Sequence, residues 1–175
     1  MKELISASLD SEGEITWQKL FGDPVNGHAS YIQQTTDGGY IFAGTYRNDH
    51  SRRDFWFVKL DSEGEMTWQK LFGGSETNFP SSFQQTTDGG YIFAGTSNGE
   101  VIGNRGMFDY LIVKFDSEGE LVWQKSLGGS DADRAYAIQQ TSDGGYIIAG
   151  HSSSRDGDVS TNHGGRDYWI VKLQP

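Results

Sequence analysis

Carboxylates at regular intervals are the residues of this chain whose types and spacing could do chemistry. Asp37, Asp88 and Asp143 each stand before Gly-Gly; Asp54, Asp109 and Asp167 each open an apolar run; Asp10, Glu12 and Glu14 alternate in DSEGE, a segment that returns at 61–65 and 116–120. Paired carboxylates can run acid–base chemistry on a glycosidic bond, and alternating ones can bind Ca2+. Each reading meets an obstacle. A calcium loop converges roughly six or more oxygens over about 12 residues, and a five-residue turn between two strands supplies too few. An aspartate before Gly-Gly bonds the amides of its own tight turn, and an aspartate opening a strand holds the loop before it. His28, His50, His151 and His163 lie at non-equivalent positions with no motif around them. GxSxG, HExxH and a phosphate-binding loop are absent, and GGS at 73–75 and 128–130 leads into loop and strand rather than helix. No catalytic residue, metal ligand or cofactor is assigned; Asp156-Gly157-Asp158 with Asn162 is the remaining candidate for a cation.

The elements that must position these residues come from an internal repeat. DSEGEITWQKLFG at 10–22 returns as DSEGEMTWQKLFG at 61–73 and DSEGELVWQKSLG at 116–128. YIQQTTDGGYIFAGT at 31–45 returns at 83–96 and 137–151, and RDFWFVKL at 53–60 returns as FDYLIVKF and RDYWIVKL. Trp17, Trp68 and Trp123 are 51 and 55 residues apart, at the upper end for β-propeller blades. Asp-Gly between apolar runs marks a tight hairpin, and DSEGE marks a second. Each repeat therefore predicts four antiparallel strands, A to D. FWFVKL and YLIVKF are nearly all apolar, as in a strand covered on both faces, while TWQKLF alternates, as in an outer strand. The expected fold is all-β: a propeller of four-stranded blades in one domain, with 1–22 as N-terminal closing strands and blades at 23–73, 74–128 and 129–175. The order starts with a C-like piece at 4–9 and a D strand, and the last blade lacks its D strand.

Three blades are too few to close a ring, and the open faces would expose apolar surface. The expectation is a homodimer with six blades, each N-terminal D strand completing the partner's last blade; the alternatives are a nine-bladed trimer and a piece of a longer chain.

Of 175 residues, 24 are acidic and 14 basic, for a formal charge of −10, which argues against nucleic acid as a partner. Cysteine is absent, so thiolate chemistry and disulfides are excluded. Aromatics at 13% oppose disorder. No apolar run approaches a membrane span, and the first residues carry no apolar signal core, so neither membrane insertion nor a targeting segment is expected.

DSEGExxWQKxxGGS, QQTxDGGYIxAG and SSRDGDVSTNHGGRDYWIVKL resemble bacterial repeat proteins of secreted or cell-surface chains that form β-propellers. The layout is also similar to WD-repeat proteins, where an aspartate precedes strand C as Asp54, Asp109 and Asp167 do; the WD dipeptide and that family's structural histidine are missing. The resemblance implies a propeller at the cell surface and no reaction.

Divergence among the copies concentrates in the B–C loops, 46–53, 97–108 and 152–166, which share one face with the D–A loops. The candidate ligand-binding residues there are Arg47, Asp49, His50, Asn104, Arg105, Asp156, Asp158, Asn162 and His163, suited to a glycan, a peptide or another surface partner. The competing class is a carbohydrate-active hydrolase or lyase with carboxylates at the ring axis. Strand A, which would line that axis, carries glutamine and threonine but no carboxylate, which favours a non-catalytic module. Trp17, Trp56, Trp68, Trp123 and Trp169 are expected to pack between blades. The lysines at 19, 59, 70, 114, 125 and 172 are expected along wet edges or in weak pairs with strand-edge acids.

Overall fold

A computed structural model describes residues 4–21, 28–47, 53–73, 78–99 and 103–175 of the chain. These residues form strands and no helix. β1 (Leu4–Leu9) and β2 (Ile15–Phe21) make a hairpin. Sheet I contains β3 (His28–Gln34), β4 (Tyr40–Arg47), β5 (Arg53–Leu60) and β6 (Met66–Phe72). Sheet II contains β7 (Asn78–Gln85), β8 (Tyr91–Ser97), β9 (Asp109–Phe115) and β10 (Leu121–Leu127). Sheet III contains β11 (Asp133–Gln140), β12 (Tyr146–Ser152) and β13 (Asp167–Leu173). All neighbours are consecutive and antiparallel, so the predicted meanders are present, two of them complete and the third with three strands.

The repeated carboxylates brace turns. Asp37 accepts from the Gly39 N–H at 3.0 Å and from the Thr35 hydroxyl, and Asp88 and Asp143 repeat both bonds. Asp61 Oδ1 accepts from the N–H groups of Glu63 and Glu65 at 3.0 and 2.8 Å, as Asp10 and Asp116 do in their own DSEGE turns.

Lys59 and Lys114 correct the expectation of wet edges, because they are only 5% and 4% exposed. A buried ammonium survives only where its donors find acceptors. Each bonds the carbonyl of the next residue, at 3.0 Å (Leu60) and 2.9 Å (Phe115), and pairs with the turn aspartate of its own sheet, Asp37 or Asp88, at 2.8 and 2.9 Å. Lys172 makes the same contacts with Leu173 and Asp143 but stays exposed, since no further sheet covers it.

The core lies between successive sheets. Phe55 and Phe57 of sheet I pack with Phe93, Leu111 and Val113 of sheet II. Tyr110 and Ile112 of sheet II pack with Ile148, Trp169 and Val171 of sheet III. Phe42, Trp56, Val58 and Leu60, on the other face of sheet I, pack with Phe21 and Trp17 of the hairpin. Burying such side chains stabilises by roughly 1.5–3 kcal/mol each. The predicted tryptophan packing is present: Trp17 on Tyr40, Trp68 on Tyr91 and Trp123 on Tyr146 are edge-on pairs with centroids 5.6–5.9 Å apart.

Strand A ties sheet to sheet through glutamine. Gln33 Oε1 accepts the Gln85 N–H at 3.1 Å, and Gln85 Oε1 accepts the Thr36 N–H at 2.9 Å. One repeat later Gln84 Oε1 accepts the Gln140 N–H at 2.7 Å, and Gln140 Oε1 accepts the Thr87 N–H at 2.9 Å. Backbone donors that the neighbouring strand would leave bare are thereby satisfied.

Candidate functional site

The loop face is best developed between sheets II and III, where the 128–132 connection meets the long 153–166 loop. Backbone bonds staple the two together: Asp158 N–H to the Gly128 carbonyl at 2.9 Å, Ser153 N–H to the Ala132 carbonyl at 3.0 Å. Asp156 Oδ1 accepts the Ser130 N–H at 2.7 Å, and Asp158 Oδ2 accepts the Gly128 N–H at 3.2 Å. The two acids of the cation candidate therefore serve the backbone of the GGS segment. Asp158 also pairs with Arg105 across the sheet boundary, at 3.4 Å.

Beneath this rim lie Asp109 and Asp133, both with no exposed surface. Asp109 Oδ2 accepts the Arg105 N–H at 2.7 Å; Asp133 Oδ2 accepts the Gly129 N–H and the Ser154 hydroxyl, both at 2.8 Å. Oδ1 of each has no hydrogen-bond partner among the described residues. Gly128 is the reason the two can approach: a Cβ there would collide with Asp109 Oδ1 and Asp133 Oδ2. Burial, reinforced by the charges of Asp133 and Asp158, pushes the Asp109 carboxyl up to about 6. That value suits a general acid, yet the group has no surface that a substrate can reach.

Asn104 and Asn162 turn out to be loop braces. Each donates Nδ2 to the carbonyl that closes strand B, Ser97 at 3.0 Å and Ser152 at 3.3 Å, and each accepts the N–H two residues on, Gly106 at 3.1 Å and Gly164 at 2.7 Å. The next residue, Arg105 or His163, gives its N–H to the strand-C aspartate, Asp109 or Asp167. These loops, which differ in length and sequence, thus share an Asn-X-Gly-X-X-Asp brace. Position 49 stands five residues before Asp54 as 104 and 162 stand before theirs, but Asp49 and His50 lie outside the described residues, and so does the side chain of Arg47. Of the candidate residues, the structure brings together Arg105, Asp156 and Asp158. It sets Asn162 and His163 at the far end of the same loop, with the His163 ring 3.2 Å from Asp167.

Sequence reasoning put Asp133 on the D–A side of the loop face without giving it a role, and did not place Asp109 or Ser154 in the site. Asp109 was legible as a loop brace through its repetition; nothing repeated signals Asp133 or Ser154. On the outer side Tyr136 lies against His151, 5.4 Å between centroids, and Arg134 covers the Phe108 ring at 4.9 Å. Burial first, then Arg166 and Arg134, hold the His151 imidazole below its ordinary pKa. Arg155, His163 and Arg166 are exposed. Neither the protein-family models nor the curated proteins include a match to this chain.

Proposed function

We propose that the chain is a non-catalytic binding or structural module, a three-bladed segment of β-propeller that closes as a six-bladed ring with a second copy and presents its loop face to a glycan, peptide or surface partner. The observation that carries the non-catalytic reading is the use of the carboxylates: those of the turns and of the loop face are spent on backbone amides, lysines or each other's surroundings. The strands assigned to the axis offer glutamines that already serve neighbouring backbone, which weighs against a hydrolase or lyase site there. Exposed side chains that differ between repeats, Arg105, Arg155, His163 and Arg166, remain for recognition.

Closure is supported by the outer face of sheet III. Tyr168 and Ile170 are 96% and 65% exposed, while their counterparts Phe55 and Phe57 are 0% and 1% exposed. Light scattering at micromolar concentration should give about twice 19.4 kDa, and a stable 19.4 kDa species overturns the ring. For recognition, an oligosaccharide and peptide array probed with the intact chain and with R105A/H163A should show signals lost in the variant at unchanged melting temperature. Signals indifferent to both residues overturn the loop-face assignment.

A further inference from the structure

At the end of the sheets opposite the loop face, the D-strand tryptophan and lysine sit beneath the DSEGE turn of the next sheet. Gly64 lies on the Trp17 indole and Gly119 on that of Trp68, each with its Cβ position 3.0 Å from the ring. Glu65 pairs with Lys19 and Glu120 with Lys70. The space so closed between sheets I and II, lined by Trp68, Lys70, Tyr91, Phe115 and Gly119, has no room for a water molecule. The equivalent space between sheets II and III is a cleft of about 840 Å3, lined by Trp123, Lys125, Tyr146 and Leu173 among others. Lys125 is exposed and, among the described residues, pairs with no carboxylate.

One DSEGE turn has the opposite deficit. Asp10–Glu14 is built like the other two, but among the described residues the Cβ position of Gly13 has nothing within 4 Å, and Glu14 is exposed and pairs with no lysine. We propose that the Trp123–Lys125 cleft is a docking site for the Asp10–Glu14 turn of a second copy: Gly13 seats on the Trp123 indole, Glu14 pairs with Lys125, and β2 continues beside β13. This rests on the dimeric closure proposed above and supplies its contact chemistry.

The docking has a competitor inside each chain. β1 pairs with β2 in the register that β5 uses on β6: Leu4 opposite Phe21 as Phe55 opposite Phe72, Ser8 opposite Trp17 as Lys59 opposite Trp68. β1 therefore holds the edge that β13 of the other copy would take. It is the weaker occupant. Its Leu9 is 59% exposed where Leu60 is fully buried, and among the described strands it pairs with β2 alone, whereas β13 comes already paired to β12. A lone hairpin is marginal beside a completed sheet.

The experiment is a charge exchange read by sedimentation. Lys125→Glu and Glu14→Lys should each weaken the dimer by roughly tenfold, two contacts being affected per pair of chains, and the double variant should restore it. Dimerisation indifferent to these changes overturns the docking while leaving ring closure standing. A labelled peptide of residues 9–21 provides a test independent of closure. In excess over the chain it should displace the second copy's turn and bind, lose binding to Lys125→Glu, and regain it when the peptide carries Glu14→Lys. Absence of binding, or binding blind to these charges, overturns the docking even if the chain is monomeric.

Discussion

Gln84 receives the backbone N–H of Gln140 on its side-chain oxygen at 2.7 Å, across the boundary between sheets II and III. The geometry repeats one sheet earlier, between Gln33 and Gln85. Gln84→Ala leaves a half-buried amide without its acceptor and should cost about 1–2 kcal/mol. Gln139, the same position in sheet III, is exposed and makes no such bond among the described residues. In dilute solution Gln139→Ala should therefore be silent in chemical denaturation, and equal losses for both would refute the assignment.

Lys114→Met should destabilise by about 2–3 kcal/mol, because the Phe115 carbonyl and Asp88 lose a buried donor together. Lys172→Met, at the equivalent but exposed position, should cost less than half as much. Urea midpoints of the two variants check the ranking.

Gly119 has φ of +78° and lies on the Trp68 ring, while Gly13, at +87°, has nothing within 4 Å of its Cβ position among the described residues. Both pay for a left-handed backbone when replaced, but only the first also collides. Gly119→Ala should lose about 2 kcal/mol and Gly13→Ala about 1, read as the difference in thermal midpoints of the unassociated chain.

Asp109 titrates near 6 in the folded chain and near 3.9 when unfolded. Between these values the folded state holds the extra proton, so this group's stabilising contribution is complete below about pH 4 and is lost as pH rises through 6. Asp37 and Asp88 act in the other direction. The Lys59 hydrogen bond brings Asp37 down to about 2; for Asp88 burial opposes the shift, and bonds from Thr86 and Lys114 outweigh it, again to about 2. Their contribution is present above pH 4 and lost as pH falls toward 2. Melting temperature against pH should rise from pH 2 to 4, and Asp109→Asn should flatten the decline between 4 and 6. An unchanged decline in that variant would assign it elsewhere.

The meander, its turns and the three-stranded last sheet were legible because each copy restates the same apolar alternation and the same Asp-Gly signal. Tryptophan packing followed from repetition too. The burial of Lys59 was not legible: FWFVKL places a lysine where an outer edge is as plausible as a pocket, and only the approach of Asp37 from a hairpin turn decides. The loop braces were hidden for a different reason. Asn104 and Asn162 lie in loops of unequal length, so comparison from the strand-B side puts them out of phase; measured back from Asp109 and Asp167 they coincide. Asp156 and Asp158 resembled a ligand set because sequence displays their oxygens and conceals the GGS amides they meet.

The glutamine bonds have a consequence for ancestry. Each runs from one sheet to the adjoining one, and each adjoining pair is served by the same two positions. An inserted copy of the 51–55-residue unit would find its donors and acceptors waiting on both sides, and a deleted one would leave matching ends. Local chemistry therefore sets no number of copies. Duplication and loss within the gene are compatible with the same bonds that hold successive sheets together.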